Sequence, residues 1–80
     1  MNATPNAIMP ALVISYTNAI YMLGTRRFTA RDGYSGIPAA YHEPVKQYAA
    51  ANLDITYIDN ALAQTWLTQT EYDETVAYII

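Results

Sequence analysis

The sequence predicts a mainly α-helical fold, one small domain spanning residues 1–80 and closing with a helix-turn-helix hairpin. Three observations carry this. In "LTQTEYDETVAYII", Thr68 stands three residues before Glu71, the spacing of a capping box. In "YHEPVKQYAAANLD", Pro44 suits a first helical turn and the alanine triplet favours helix. Nearer the N-terminus, Ile8, Leu12, Tyr16, Ile20 and Leu23 recur at helical spacing and end on Gly24, a good stop. The chain divides into an apolar N-terminal segment (1–24), a loop or short hairpin (25–42) and a helical region (43–80).

The N-terminal segment also alternates like a strand at Leu12, Ile14 and Tyr16. Its length and its terminal glycine favour helix, with Pro10 as an early helical position. In "GTRRFTARDGYSGIP", Asp32-Gly33 suits a type I′ turn, whose two central residues need positive φ. Its flanks form either a short β-hairpin or an ordered loop. From residue 43 the reading is helical. Val45, Tyr48, Ala49 and Asn52 share a face, and 52–54 breaks the helix. Asp54 or Thr56 caps the next one, whose stripe is Ile55, Ile58 and Leu62. Trp66 and Leu67 make the corner. Leu67 before the Thr68 cap and Tyr72 after it form a hydrophobic staple, and Val76 and Ile79 continue the stripe. Helices this short are marginal alone and need each other or a neighbour.

Eighty residues with no cysteine and a single histidine, His42, leave no disulfide and none of the usual zinc spacings. A core this size leaves a few kcal/mol of margin, so burial against other chains is a reasonable source of stability. Only 14 % of residues are charged and eight are Tyr, a residue suited either to half-wet interfaces or to a small core and its rim. The N-terminus has no charged region ahead of its apolar run, so a secretory signal is not expected. Asn2, Ala3 and Thr4 fit a glycosylation sequon, which carries little weight without one. Residues 7–23 contain Pro10, Ser15, Thr17 and Asn18 and fall short of a membrane span.

Charge is uneven. Arg26, Arg27 and Arg31 cluster, and six of the seven acids lie from Glu43 onward with only Lys46 against them. This suits head-to-tail packing of a basic on an acidic patch, or a solvated surface. A net charge of −3 disfavours nucleic acid, and the last helix carries no Arg or Lys, which excludes it as a DNA-reading helix. Glu71, Asp73 and Glu74 scatter around a helix, as dipole-complementing acids do, and do not converge as a catalytic pair. His42-Glu43 is read as a helix start or surface pair, and "DGYSG" lacks the lysine and spacing of a phosphate loop. No catalytic, cofactor or metal residue is expected, and no enzyme activity.

The stretch "YIDNALAQTWLTQTEYDETVAYI" resembles the short XkdX-type proteins of bacteriophages and prophages. It is also similar, more weakly, to a short C-terminal oligomerising module of many bacterial proteins. Trp66, Leu67, Thr68, Glu71 and Tyr72 match the corner and the Glu-aromatic pair. Thr65 stands where those proteins place glycine. The resemblance implies a minor structural or assembly protein of a phage particle, at the tail, baseplate or head–tail region. Its partners would be other virion proteins or copies of itself, without substrate, nucleic acid or membrane span. The alternative is a small acidic regulator or inhibitor that binds a host or phage partner. Interface candidates are Trp66 and Tyr72, as aromatic anchors, with Arg26, Arg27 and Arg31. Trp66 packing on Ile58, Leu62 and Tyr72 within its own chain is the competing role.

Overall fold

A computed structural model describes residues 7–79. The sequon at Asn2 lies outside them. The chain is mainly helical: α1 (Pro10–Thr17) runs on into a π-helical segment (Asn18–Leu23), and after a loop and a 3₁₀ turn (Ala39–Tyr41) come α2 (His42–Asn52), α3 (Ile55–Ala63) and α4 (Gln69–Ala77). α1 packs on α2, its π-helical continuation on α3, and α4 on both α2 and α3. α3 and α4 form the expected hairpin.

The helix ends follow local chemistry. Pro10 opens α1, and Gly24 ends the π segment in the left-handed conformation at φ 69°. Asp54 caps α3 through its carboxylate, which accepts from the Thr56 N–H and hydroxyl. The capping box of α4 is complete: the Glu71 N–H donates to Thr68 Oγ1 at 3.1 Å and the Thr68 N–H to Glu71 Oε1 at 2.9 Å. His42 is the first residue of α2, and its ring meets Phe28 edge-on.

Residues 25–38 take the ordered-loop alternative. Asp32 (φ 56°) and Gly33 (φ 84°) make the expected turn, but one bridge, Arg31 to Tyr34, is all the strand pairing among the described residues. Beyond it two backbone bonds join the flanks, from the Arg27 N–H to the Ser35 carbonyl at 2.8 Å and from the Ile37 N–H to the Phe28 carbonyl at 3.2 Å, and an arginine adds a third tie. Arg26 Nη2 donates to the Gly36 carbonyl at 2.8 Å, and Gly36 lies so close to the 28–30 backbone that a Cβ there would stand 2.7 Å from the Ala30 nitrogen.

The apolar stripes read in the sequence are buried at their centres, where Ile20, Val45, Ala49 and Ile58 are in the core and Leu12, Tyr16, Tyr48, Tyr72 and Val76 pack against it, but their ends turn outward. Ile8, Leu23, Ile55 and Ile79 are exposed, while Val13, Thr17, Ile20 and Tyr21 face inward from the first helix, Ile58 and Ala61 from α3, and Thr75 from α4. Two causes act together. The π segment widens the turn, with the Gly24 and Thr25 amides both reaching the Ala19 carbonyl, and this carries Leu23 outward. Threonines occupy buried centres because their hydroxyls are satisfied: Thr17 Oγ1 donates to the Val13 carbonyl at 2.7 Å and Thr75 Oγ1 to the Glu71 carbonyl at 2.9 Å. The large core side chains are Ile20, Tyr21, Phe28, Val45 and Ile58, each contributing about 2 kcal/mol by burial.

Candidate protein-contact surface

The α3–α4 corner is built on a residue that resists it. Thr65 takes φ 65°, a conformation unfavourable for a β-branched side chain and the one a glycine would supply. Its N–H donates to the Leu62 carbonyl and the Trp66 N–H to the Ala61 carbonyl, the two bonds of a Schellman cap. Arg31 Nη2 donates to the Thr65 carbonyl at 2.7 Å and so pins the corner from the 31–34 turn. The next residue, Trp66, lays its indole on Gly24: a Cβ at Gly24 would stand 2.3 Å from Trp66 Cε2. Trp66 is therefore half-buried in its own chain, and it closes the corner on the end of the first helix rather than only within the hairpin. Tyr72, also half-buried, donates its hydroxyl to Asp59 Oδ1 at 2.6 Å, a bond that raises its pKa and ties α4 to α3.

The three arginines all bond to their own chain, Arg27 from a buried position and Arg26 and Arg31 from partly exposed ones. Arg27 is 4 % exposed; its guanidinium donates to the Gly24 and Arg26 carbonyls and stacks 4.0 Å from the Tyr34 ring centre. Arg26 lies over Tyr16, and Arg31 also pairs with Asp32. Their first job is to hold the 24–38 loop and the corner. Arg27 presents no charge at the surface.

Lys46 links three elements. Its side chain is 6 % exposed, sits over Phe28 and pairs with Glu43 on α2 and Glu74 on α4. Burial opposes its charge most strongly, yet the bonds to Glu74 and Glu43 together hold its pKa above the ordinary value. Glu43 is held below the usual carboxylate range, first by the Tyr78 hydroxyl and then by Lys46. At the centre of the fold Tyr21 donates its hydroxyl to Thr75 Oγ1 at 2.6 Å. Burial pushes this phenol well above the usual tyrosine range, with the Thr75 bond acting the other way.

All eleven charged side chains thus have a partner inside the chain. The four cations reach Gly36, Gly24, Thr65 and the Glu43–Glu74 pair. Asp32, Glu43, Asp54, Asp59, Glu71, Asp73 and Glu74 accept from Arg31, Tyr78, Thr56, Tyr72, Thr68, Gln69 and Lys46 respectively. Among the described residues the buried Nε atoms of Arg26 and Arg27 lack a hydrogen-bond partner, and the large exposed side chains of the first helix are apolar. Ile14 (42 % exposed), Met22 (39 %) and Leu23 (66 %) lie on the outer side of the first helix. At its N-terminal end a groove of about 310 Å³ opens between Ile8, Pro10, Val13 and Ile14 on one side and Pro44, Gln47 and Tyr48 of α2 on the other. Residue-by-residue site reading missed this surface. Its signal was present, since residues 7–25 carry no charge and place apolar residues on the outer as well as the inner side of the helix.

Among the described residues no cluster of His, Cys, Asp or Glu is placed to hold a metal ion, and no helix is long and apolar enough to cross a membrane. No family model, curated protein or solved structure matches the chain.

Proposed function

We propose that this chain works through protein contacts, as a minor structural or assembly protein of a bacteriophage particle at the tail, baseplate or head–tail region. The observation that carries the contact role is the division of its surface. Every charged group is engaged internally, while an uncharged helix and an apolar groove stay open. Contiguous apolar surface of this kind marks interaction sites. No chemistry is assigned to it. The phage context rests on the resemblance of residues 57–79 to XkdX-type proteins, and Thr65 adopts the left-handed corner conformation that the glycine of those proteins would take.

Quantitative mass spectrometry of purified particles tests the reading. A structural protein is found at fixed stoichiometry to the other virion proteins, and absence from particles overturns the placement. The alternative, an acidic regulator mimicking nucleic acid, draws less support from a fold whose carboxylates all accept bonds from their own chain.

A further inference from the structure

We infer that the partner of the α1 surface is a second copy of this chain, paired face to face about a two-fold axis. This rests on the contact role proposed above and names its occupant.

The case begins with charge. Residues 7–25 contain no Asp, Glu, Lys, Arg or His, and the α2 residues across the groove, Pro44, Gln47 and Tyr48, carry no charge either. The rest of the chain carries a net charge of −3. Two like-charged copies repel unless they meet where neither carries charge, and this face meets that condition. A different protein would gain no electrostatic register from such a surface. A two-fold pair needs none, because symmetry sets each residue against its own equivalent or a fixed neighbour, and two-fold dimers are the commonest closed assemblies.

Shape and area agree. Ile14 belongs both to the groove wall and to the outer line of the helix that continues to Met22, so groove and ridge form one surface. Along that line the polar residues are Ser15 and Asn18, small enough to let two helices approach. The exposed parts of Ile8, Met9, Ile14, Met22 and Leu23 come to roughly 500 Å², at the upper end of what a monomer leaves open. Even with the groove walls the surface stays below the ~800 Å² per partner of a standard interface, the size of a weak, reversible pair. A chain of eighty residues gains the added stability that a small core lacks.

Sedimentation equilibrium of the full chain, from low to high micromolar, tests this. The expected result is a monomer–dimer equilibrium with a micromolar dissociation constant. Ile14→Glu and Met22→Glu each raise that constant at least tenfold with the helical circular dichroism unchanged. Both sites are exposed and outside the core cluster, so the fold tolerates them. The chain has no cysteine, so single thiols report the face directly. A short bismaleimide joins Ser15→Cys or Asn18→Cys to its mate, and leaves Thr70→Cys on α4 unlinked. A strict monomer over the whole range overturns the inference. So does a dimer that crosslinks through Thr70→Cys while Ser15→Cys and Asn18→Cys stay unlinked, or a monomer that sediments with neutral phosphatidylcholine vesicles. A monomer that is still present in particles at fixed stoichiometry removes the second copy and leaves the proposed function standing. A dimer absent from particles does the reverse.

Discussion

Replacing Gly24 by alanine introduces one methyl group at the most crowded point of the fold. The new Cβ would stand 2.3 Å from Trp66 Cε2, 2.5 Å from Nε1 and 2.6 Å from Cζ2. Carbon atoms rest at ~3.5–4.0 Å, so the indole must retreat by about 1 Å or more. Overpacking of this kind costs about 1–3 kcal/mol. Alanine at φ 69° adds about 1 kcal/mol of backbone strain, offset in part by the stiffer unfolded chain. The expected loss is about 2–4 kcal/mol, enough to lower Tm by roughly 10–20 °C in a domain of this size. In a Trp66→Leu background the indole edge is gone and only the strain remains, so the same change should cost about 1 kcal/mol. Urea melts of the four chains, followed at 222 nm, give a coupling energy of about 1–3 kcal/mol. If Gly24→Ala costs the same in both backgrounds, Trp66 does not sit on Gly24 and the account of the corner is wrong.

Four further outcomes are expected. Thr75→Val removes the acceptor of a buried phenol and should cost about 2 kcal/mol in a denaturant melt, whereas the double change Tyr21→Phe with Thr75→Val should be nearly neutral. Lys46→Met frees two half-exposed carboxylates to hydrate and should change stability by less than about 1 kcal/mol; Glu43→Gln with Glu74→Gln strands a buried ammonium and should cost about 2 kcal/mol. Tyr21 and Lys46 both have pKa values raised by folding, so their contribution is full below the unfolded values near pH ~10 and is lost as pH rises beyond them. Alkaline titration at 295 nm should show part of the tyrosine signal appearing only with unfolding. Thr68→Ala should lower stability by about 1 kcal/mol, with amide exchange accelerating after Leu67 and not elsewhere.

The parts of the fold legible in the sequence are those decided within a few residues. The stop at Gly24, the cap at Asp54, the turn at Asp32-Gly33 and the box at Thr68 and Glu71 each depend on one backbone conformation and one side-chain bond. The facing of the helices was less legible, because Thr17 and Thr75 bury only where a particular carbonyl or phenol satisfies them. The arginine cluster was visible as a run of charge. Its attachment to the carbonyls of Gly24, Gly36 and Thr65 depends on tertiary placement that spacing does not encode. Trp66 stood out as an aromatic at a corner, but its seat on a glycine 42 positions earlier is a property of the closed fold.

The Tyr21–Thr75 bond joins residues 54 positions apart, and the Arg31–Thr65 bond spans 34. The α3–α4 hairpin, by contrast, is held by neighbours in sequence. Loop-closure entropy therefore orders assembly: the hairpin forms by local contacts, and the first helix docks late, against a surface that must already exist. Substitutions at Thr68 should then slow folding, while those at Tyr21 and Gly24 mainly speed unfolding. During synthesis the uncharged first helix can cover one side once α2 has emerged, but the face that holds Tyr21 stays open until Thr75 has left the ribosome. The most association-prone segment of the chain is thus the one exposed longest before the native core can close.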